Sequence, residues 1–240
     1  MKWQPLVKGL YFTSCLTQCL FLTGESILTA GTDGHAVAWS LSSDITQRTM
    51  GSTTPTSTLE WEEPIRIHQS ASKTTASCCL DAATKLVVSG GDDGSLAILL
   101  TRRTLSISSS MYAAAPLLLS RTHASAVTSC AILMHTDRIF ILSSGNDQWI
   151  RLWEVYIHAR DGTDTTPPEK SRFGKCVLDI RQMGKIKTNV ADVSGMAVLD
   201  AEEKGMHARV LVCGVGMEVV RLEWDKEDAI VAPETAMSCT

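Results

Sequence analysis

The chain has no apolar run long enough to cross a bilayer, no GxSxG elbow, no GxxxxGKS/T phosphate loop, no GxGxxG after a strand pattern and no HExxH helix. These absences remove a membrane span and the commonest hydrolase, nucleotide-binding and metalloprotease signatures. The eight cysteines form no CxxC pair and no Cys/His cluster at zinc spacing. Cys15 and Cys19 are four apart, Cys78 and Cys79 are adjacent, and Cys130, Cys176, Cys213 and Cys239 are scattered. No metal or other cofactor is expected. Cys19, Cys78, Cys79, Cys130 and Cys213 fall in strand-like runs and are expected to act as small buried hydrophobes, which implies a reducing, cytoplasmic setting. A net charge of −4 gives no basic bias toward nucleic acid. The stretch from Lys2 to Leu22 imitates a signal peptide, but Thr13, Ser14, Thr17 and Gln18 interrupt it and no small-x-small site follows, so a strand is expected there.

What the chain does have is a repeat. Four segments align without a gap: TAGTDGHAVAW ending at Trp39, SGGDDGSLAIL ending at Leu99, SSGNDQWIRLW ending at Trp153 and VCGVGMEVVRL ending at Leu222. In three of them an Asp (Asp33, Asp93, Asp147) stands six residues before a large apolar residue; in the fourth Gly216 takes its place. Gly and Asp tolerate tight turns that β-branched residues resist. The runs on either side, such as Ile139 to Leu142 and Ile150 to Trp153, carry the apolar and β-branched residues of buried strands. The pattern predicts a hairpin written four times.

Thr or Ser, then Asp four positions on, then Trp six further on resembles the WD repeat, in which each unit forms one blade of a β-propeller. The resemblance implies an all-β chain with four recognisable blades, with cores at about 16–41, 68–100, 123–155 and 190–224 and a tail at 225–240. Four is fewer than a propeller of this kind usually has, so the array is expected to be incomplete and to belong to a longer protein. The third unit carries the full structural tetrad of the resemblance, His123, Ser143, Asp147 and Trp153. His68, Ser89 and Asp93 fit the second unit, with Leu99 in place of Trp; Thr29, Asp33 and Trp39 fit the first. His35, His135, His158 and His207 are isolated and expected to be exposed. The three aspartates occupy equivalent turns of different blades and cannot converge as paired carboxylates, so catalysis is not expected.

The connections between units carry the basic residues. LEWEEPIRI, after the Ser/Thr-rich stretch that follows Trp39, is expected to resume as the outer strand of the next blade. The second connection holds Arg102 and Arg103, and the third, a loop from Tyr156 to Lys187, holds Lys170, Arg172, Lys175, Arg181, Lys185 and Lys187. A solvated loop accounts for such charges; the sharper account is phosphate contact, for which Arg102, Arg103, Lys170, Arg172, Lys175, Lys185 and Lys187 are the candidates.

The stretches LTAGTDGHAVAWSL, VSGGDDGSLAILL, HASAVTSCAIL with SSGNDQWIRLWEV, and NVADVSGMAVL with VLVCGVGMEVVRLEW come in the order found in one family. From about Tyr11 to Trp224 the chain resembles the C-terminal part of the WD repeat-containing protein 6 family. That resemblance implies a non-catalytic subunit whose partner is a tRNA ribose 2′-O-methyltransferase dependent on S-adenosylmethionine, and which helps that enzyme act on the wobble nucleotide of the anticodon loop. The competing reading is a protein-only hub such as a ubiquitin ligase substrate receptor. Such receptors often carry Trp-Asp-x-Arg at a blade end, whereas Trp153 is followed by Glu154, Val155 and Tyr156.

Overall fold

The computed structural model describes residues 15–23, 26–40, 60–61, 64–81, 84–102, 115–135, 138–159, 176–201, 207–223 and 231–232, and these contain strands and no helix. The first sheet is β1 (Leu16–Thr23), β2 (Ser26–Gly31), β3 (His35–Ser40) and β4 (Glu60–Trp61), with β5 (Ile65–Arg66) also on β3. The second is β6 (Ser72–Cys79), β7 (Thr84–Gly91), β8 (Leu96–Arg102) and β9 (Leu117–Leu119). The third is β10 (Val127–His135), β11 (Arg138–Gly145), β12 (Trp149–Ala159) and β13 (Cys176–Lys187). The fourth is β14 (Ala191–Ala201), β15 (His207–Glu223) and β16 (Val231–Ala232). All pairings are antiparallel. The first strand of each sheet packs against the first strand of the next, β1 on β6, β6 on β10 and β10 on β14, which sets the sheets side by side as propeller blades.

The core lies between blades. Successive side chains of a strand point to opposite faces, so an interior blade must be apolar on both. In β7, Val87 joins the core shared with Leu28, Ala36 and Ala38 of the first blade, while Leu86 and Val88 join the core shared with Ile139, Ile141 and Trp153 of the third. In β11 the alternate residues Phe140 and Leu142 turn the other way, onto Val210, Val212 and Leu222 of the fourth. This two-sided demand explains why the second strand of the middle blades reads as a continuous apolar run. β15 instead alternates, with Ala208, Val210 and Val212 buried and Arg209 exposed between them.

Three expectations need correction. LEWEEPIRI does not begin the next blade: Glu60–Trp61 and Ile65–Arg66 both pair with β3 and complete the first sheet. The third connection is not loop throughout, because β12 continues to Ala159 and Cys176–Lys187 is a twelve-residue strand. Nor is the fourth unit a strand, a turn and a strand. Backbone from His207 to Glu223 stays in one strand, through Gly214 and Gly216. The other three hairpins turn on an aspartate whose carboxylate accepts the N–H two residues on: His35 N to Asp33, Ser95 N to Asp93 and Trp149 N to Asp147. Gly216 has no side chain to do this. β16 lies in the stretch read as a tail and adds to β15 at Arg221 and Leu222.

Candidate functional site

Each of the three Asp turns ends on a residue with positive φ, Gly34 (74°), Gly94 (74°) and Gln148 (64°). Their carbonyls accept N–H groups from the segment entering the next blade: Gly34 from His68, Gly94 from His123 and Gln148 from Thr188. A Cβ built on Gly94 would sit 2.4 Å from the His123 carbonyl oxygen, so the turn and the incoming segment touch backbone to backbone.

In the third blade this contact places His123 over the sheet. Its Nδ1 lies 2.9 Å from Asp147 Oδ1, its Nε2 2.9 Å from Ser143 Oγ, and Trp153 Nε1 donates to the same hydroxyl at 2.9 Å. A carboxylate only accepts, so Nδ1 carries the proton and Nε2 accepts from Ser143. Donation therefore runs one way, Trp153 to Ser143 to His123 to Asp147. Asp147 also takes the Ala124 N–H at 3.0 Å and the Trp149 N–H at 3.2 Å, and Arg151 lies 3.6 Å away. Burial would raise the Asp147 pKa, but the hydrogen bonds from His123 and these amides outweigh it and hold the carboxyl below its ordinary value. Burial depresses the His123 pKa, so the ring is neutral.

The second blade reaches the same end by other means. His68 Nδ1 lies 2.6 Å from Ser95 Oγ, which donates to Asp93 at 2.5 Å, so a hydroxyl is inserted between ring and carboxylate. His68 Nε2 lies 2.8 Å from Ser89 Oγ, and Ser72 Oγ lies 2.9 Å from Ser89 Oγ. The Ser72 hydroxyl thus supplies the donor that Leu99 lacks. Burial takes the His68 pKa down to about 4, with Asp93 opposing. In the first blade Trp39 Nε1 donates to Thr29 Oγ1 at 2.7 Å.

The fourth blade holds a group that the repeat did not reveal. Glu218 is buried and accepts from Thr188 Oγ1 at 2.5 Å, from the Asn189 N–H at 2.9 Å and from Asn189 Nδ2 at 3.2 Å. It does for the fourth blade what Asp147 and Asp93 do for theirs, since each accepts the N–H just after the blade-entry residue. The carboxylate sits two positions past Gly216, inside the aligned segment but off the Asp column, where the other units have His35, Ser95 and Trp149. Thr188-Asn189 in place of His and its neighbour was the available signal.

Of the basic candidates, Arg103, Lys170, Arg172 and Lys175 lie outside the described residues, and Arg102 ends β8. Lys185 and Lys187 sit on one face of β13, opposite Arg151 and Trp149 of β12. The Lys185 ammonium lies 4.7 Å from the Trp149 ring centroid, a cation–π contact. This brings two lysines, an arginine and an indole to one rim.

The cysteines correct another expectation. Cys130 is buried and its thiol pKa is pushed up to about 12 by burial, but Cys19 and Cys79 are exposed and Cys78 and Cys213 half-buried. Among the isolated histidines only His158 is exposed; His35, His135 and His207 are half-buried. Among the described residues no group of three or more His, Cys, Asp or Glu is placed to hold a metal ion.

A family model described as WD domain, G-beta repeat matches residues 116–154. The matched span takes in β9 of the second blade together with β10, β11 and the start of β12 of the third, and contains all four members of the complete tetrad. The chain therefore carries a WD40 repeat within an all-β array of blades. No curated protein matches it.

Proposed function

We propose that the chain is a non-catalytic WD40 scaffold of the cytoplasm that supports a partner tRNA ribose 2′-O-methyltransferase, holding enzyme and tRNA together so that the wobble nucleotide reaches the partner's active site. WD40 domains serve typically as interaction scaffolds. The observation that carries the non-catalytic part is the commitment of the polar groups: His68, His123, Asp93, Asp147 and Glu218 each spend their hydrogen-bonding capacity within the fold. The tRNA part draws on the resemblance of the repeat sequences and is supported by the rim of Trp149, Arg151, Lys185 and Lys187, which suits phosphate and base contact. The gain for the partner would be effective concentration and orientation rather than chemistry.

Calorimetry with S-adenosylmethionine and a methyl-transfer assay on tRNA test the first part: the protein alone neither binds the cofactor nor transfers a methyl group, and detectable binding overturns the reading. For the second, tRNA binding to the reconstituted pair is measured across salt. Lys185→Ala with Lys187→Ala is expected to flatten the slope of log K against log salt by about 1 to 2. An unchanged slope removes this rim from the RNA path.

A further inference from the structure

Between the outer edge of the first blade and the second blade lies a cavity of about 880 Å³, walled by Arg66 and Gln69 on one side and by Leu118, Ser120 and Arg121 on the other. We propose that it is a docking groove for an extended segment of a partner protein that carries acidic side chains beside apolar ones. The proposal rests on the scaffold reading but on neither the methyltransferase nor the RNA.

Charge selects the guest. Arg66 is pinned in place, its Nε donating to the His68 carbonyl and its Nη2 to the Gln69 carbonyl, each at 3.3 Å, which leaves its other N–H groups for a guest. Arg121 is exposed and has no acidic partner among the described residues. The one acid among the described lining residues, Asp93, is turned to its own blade: one oxygen accepts from Ser95 N and Oγ and the other from Gln69 N. Among the described lining residues an incoming carboxylate thus meets two guanidinium groups against one carboxylate, whose oxygens are already held by Ser95 and Gln69.

Shape selects an extended segment. β9 pairs only with β8 among the described residues, so its outer edge offers unpaired backbone groups to an added strand. Leu118, on that strand, is 50% exposed and gives such a segment an apolar contact beside the arginines.

Arg121 also stands where the backbone does not favour it. Its φ is 56°, a conformation that suits Gly or Asn, yet an arginine occupies it. Residues kept in such conformations gather at binding sites, because there the side chain is needed despite the strain.

This gives a variant that separates binding from folding. Arg121→Gly relieves the backbone and removes the guanidinium, so its melting temperature is expected to be no lower than that of the unaltered chain while its peptide binding falls at least tenfold. The experiment pans a displayed library of random dodecapeptides on the full chain, with Arg121→Gly and Arg66→Gln as counter-selections, and measures the enriched peptides by fluorescence anisotropy. Enrichment of peptides pairing Glu or Asp with Leu, Ile or Phe, weakened at least tenfold in both variants, supports the groove. Enrichment of sequences without acidic residues, binding indifferent to both arginines, no enrichment over the variants, or displacement of the peptides only by RNA overturns it. If the groove fails while a methyltransferase still co-purifies with the chain, the scaffold reading stands without it.

Discussion

The Ser72 hydroxyl lies 2.9 Å from the Ser89 hydroxyl and takes in the second blade the place that the Trp153 indole takes against Ser143 in the third. One network of buried donors and acceptors is thus closed by two different residues on different strands, β6 in one blade and β12 in the other. The requirement is that the buried hydroxyl receive a donor, whichever side chain gives it. Ser72→Ala is expected to destabilise the chain by about 1 kcal/mol, with the loss vanishing in a Ser89→Ala background; denaturant titration of the double-mutant cycle reads it. Additive losses would mean that the two hydroxyls do not interact.

Asp147 holds the incoming segment by two bonds, from His123 and Ala124, and closes its own turn by a third from Trp149, so Asp147→Ala should destabilise the third blade by about 1 to 3 kcal/mol. An unchanged melting temperature would mean that His123 is held without it.

The turn glycines are equally exposed to test. Gly94→Ala puts a Cβ 2.4 Å from the His123 carbonyl at a φ of 74°, and should cost about 1 to 3 kcal/mol, read by chemical denaturation. Gln148→Gly, at the equivalent position with a φ of 64°, should instead be neutral or stabilising.

Acid acts first on the histidines. The folded-state pKa of His68 is about 4 and that of His123 is also lowered, both below the ordinary 6.5, so the unfolded chain binds protons that the folded one refuses. Their contribution to stability is therefore whole above pH 6.5 and declines as pH falls toward about 4. Asp93 and Asp147 are depressed below 3.8, so their contribution is lost only below that pH. Thermal melts from pH 7.5 to 4 should show a falling melting temperature that is shallower in His68→Gln. A flat profile would contradict the buried neutral rings.

The tetrad residues of the third blade could be named from sequence through the resemblance to the WD repeat, and the Asp turn with the two strands around it was legible because those contacts are local. Ser72 could not, since its partner Ser89 is reached only when β6 pairs with β7. Glu218 escaped because the fourth unit lacks the Asp turn, and its carboxylate comes from within a continuous strand. For the cysteines, strand periodicity shows that Cys78 and Cys79 face opposite sides but not which side is covered; one is half-buried and the other exposed. The basic rim was legible only as charge. Pairing of β12 with β13 turned Lys185 and Lys187 from loop residues into neighbours of Arg151 and Trp149.

The central claim, a scaffold for a ribose methyltransferase, is tested most directly by affinity purification of a tagged copy from its own cells, with the bound proteins and RNA identified. The account predicts a ribose methyltransferase dependent on S-adenosylmethionine, retained through washing, together with tRNA that is lost as salt rises. Recovery of other proteins, such as ubiquitin ligase components, with no methyltransferase and no tRNA would contradict it.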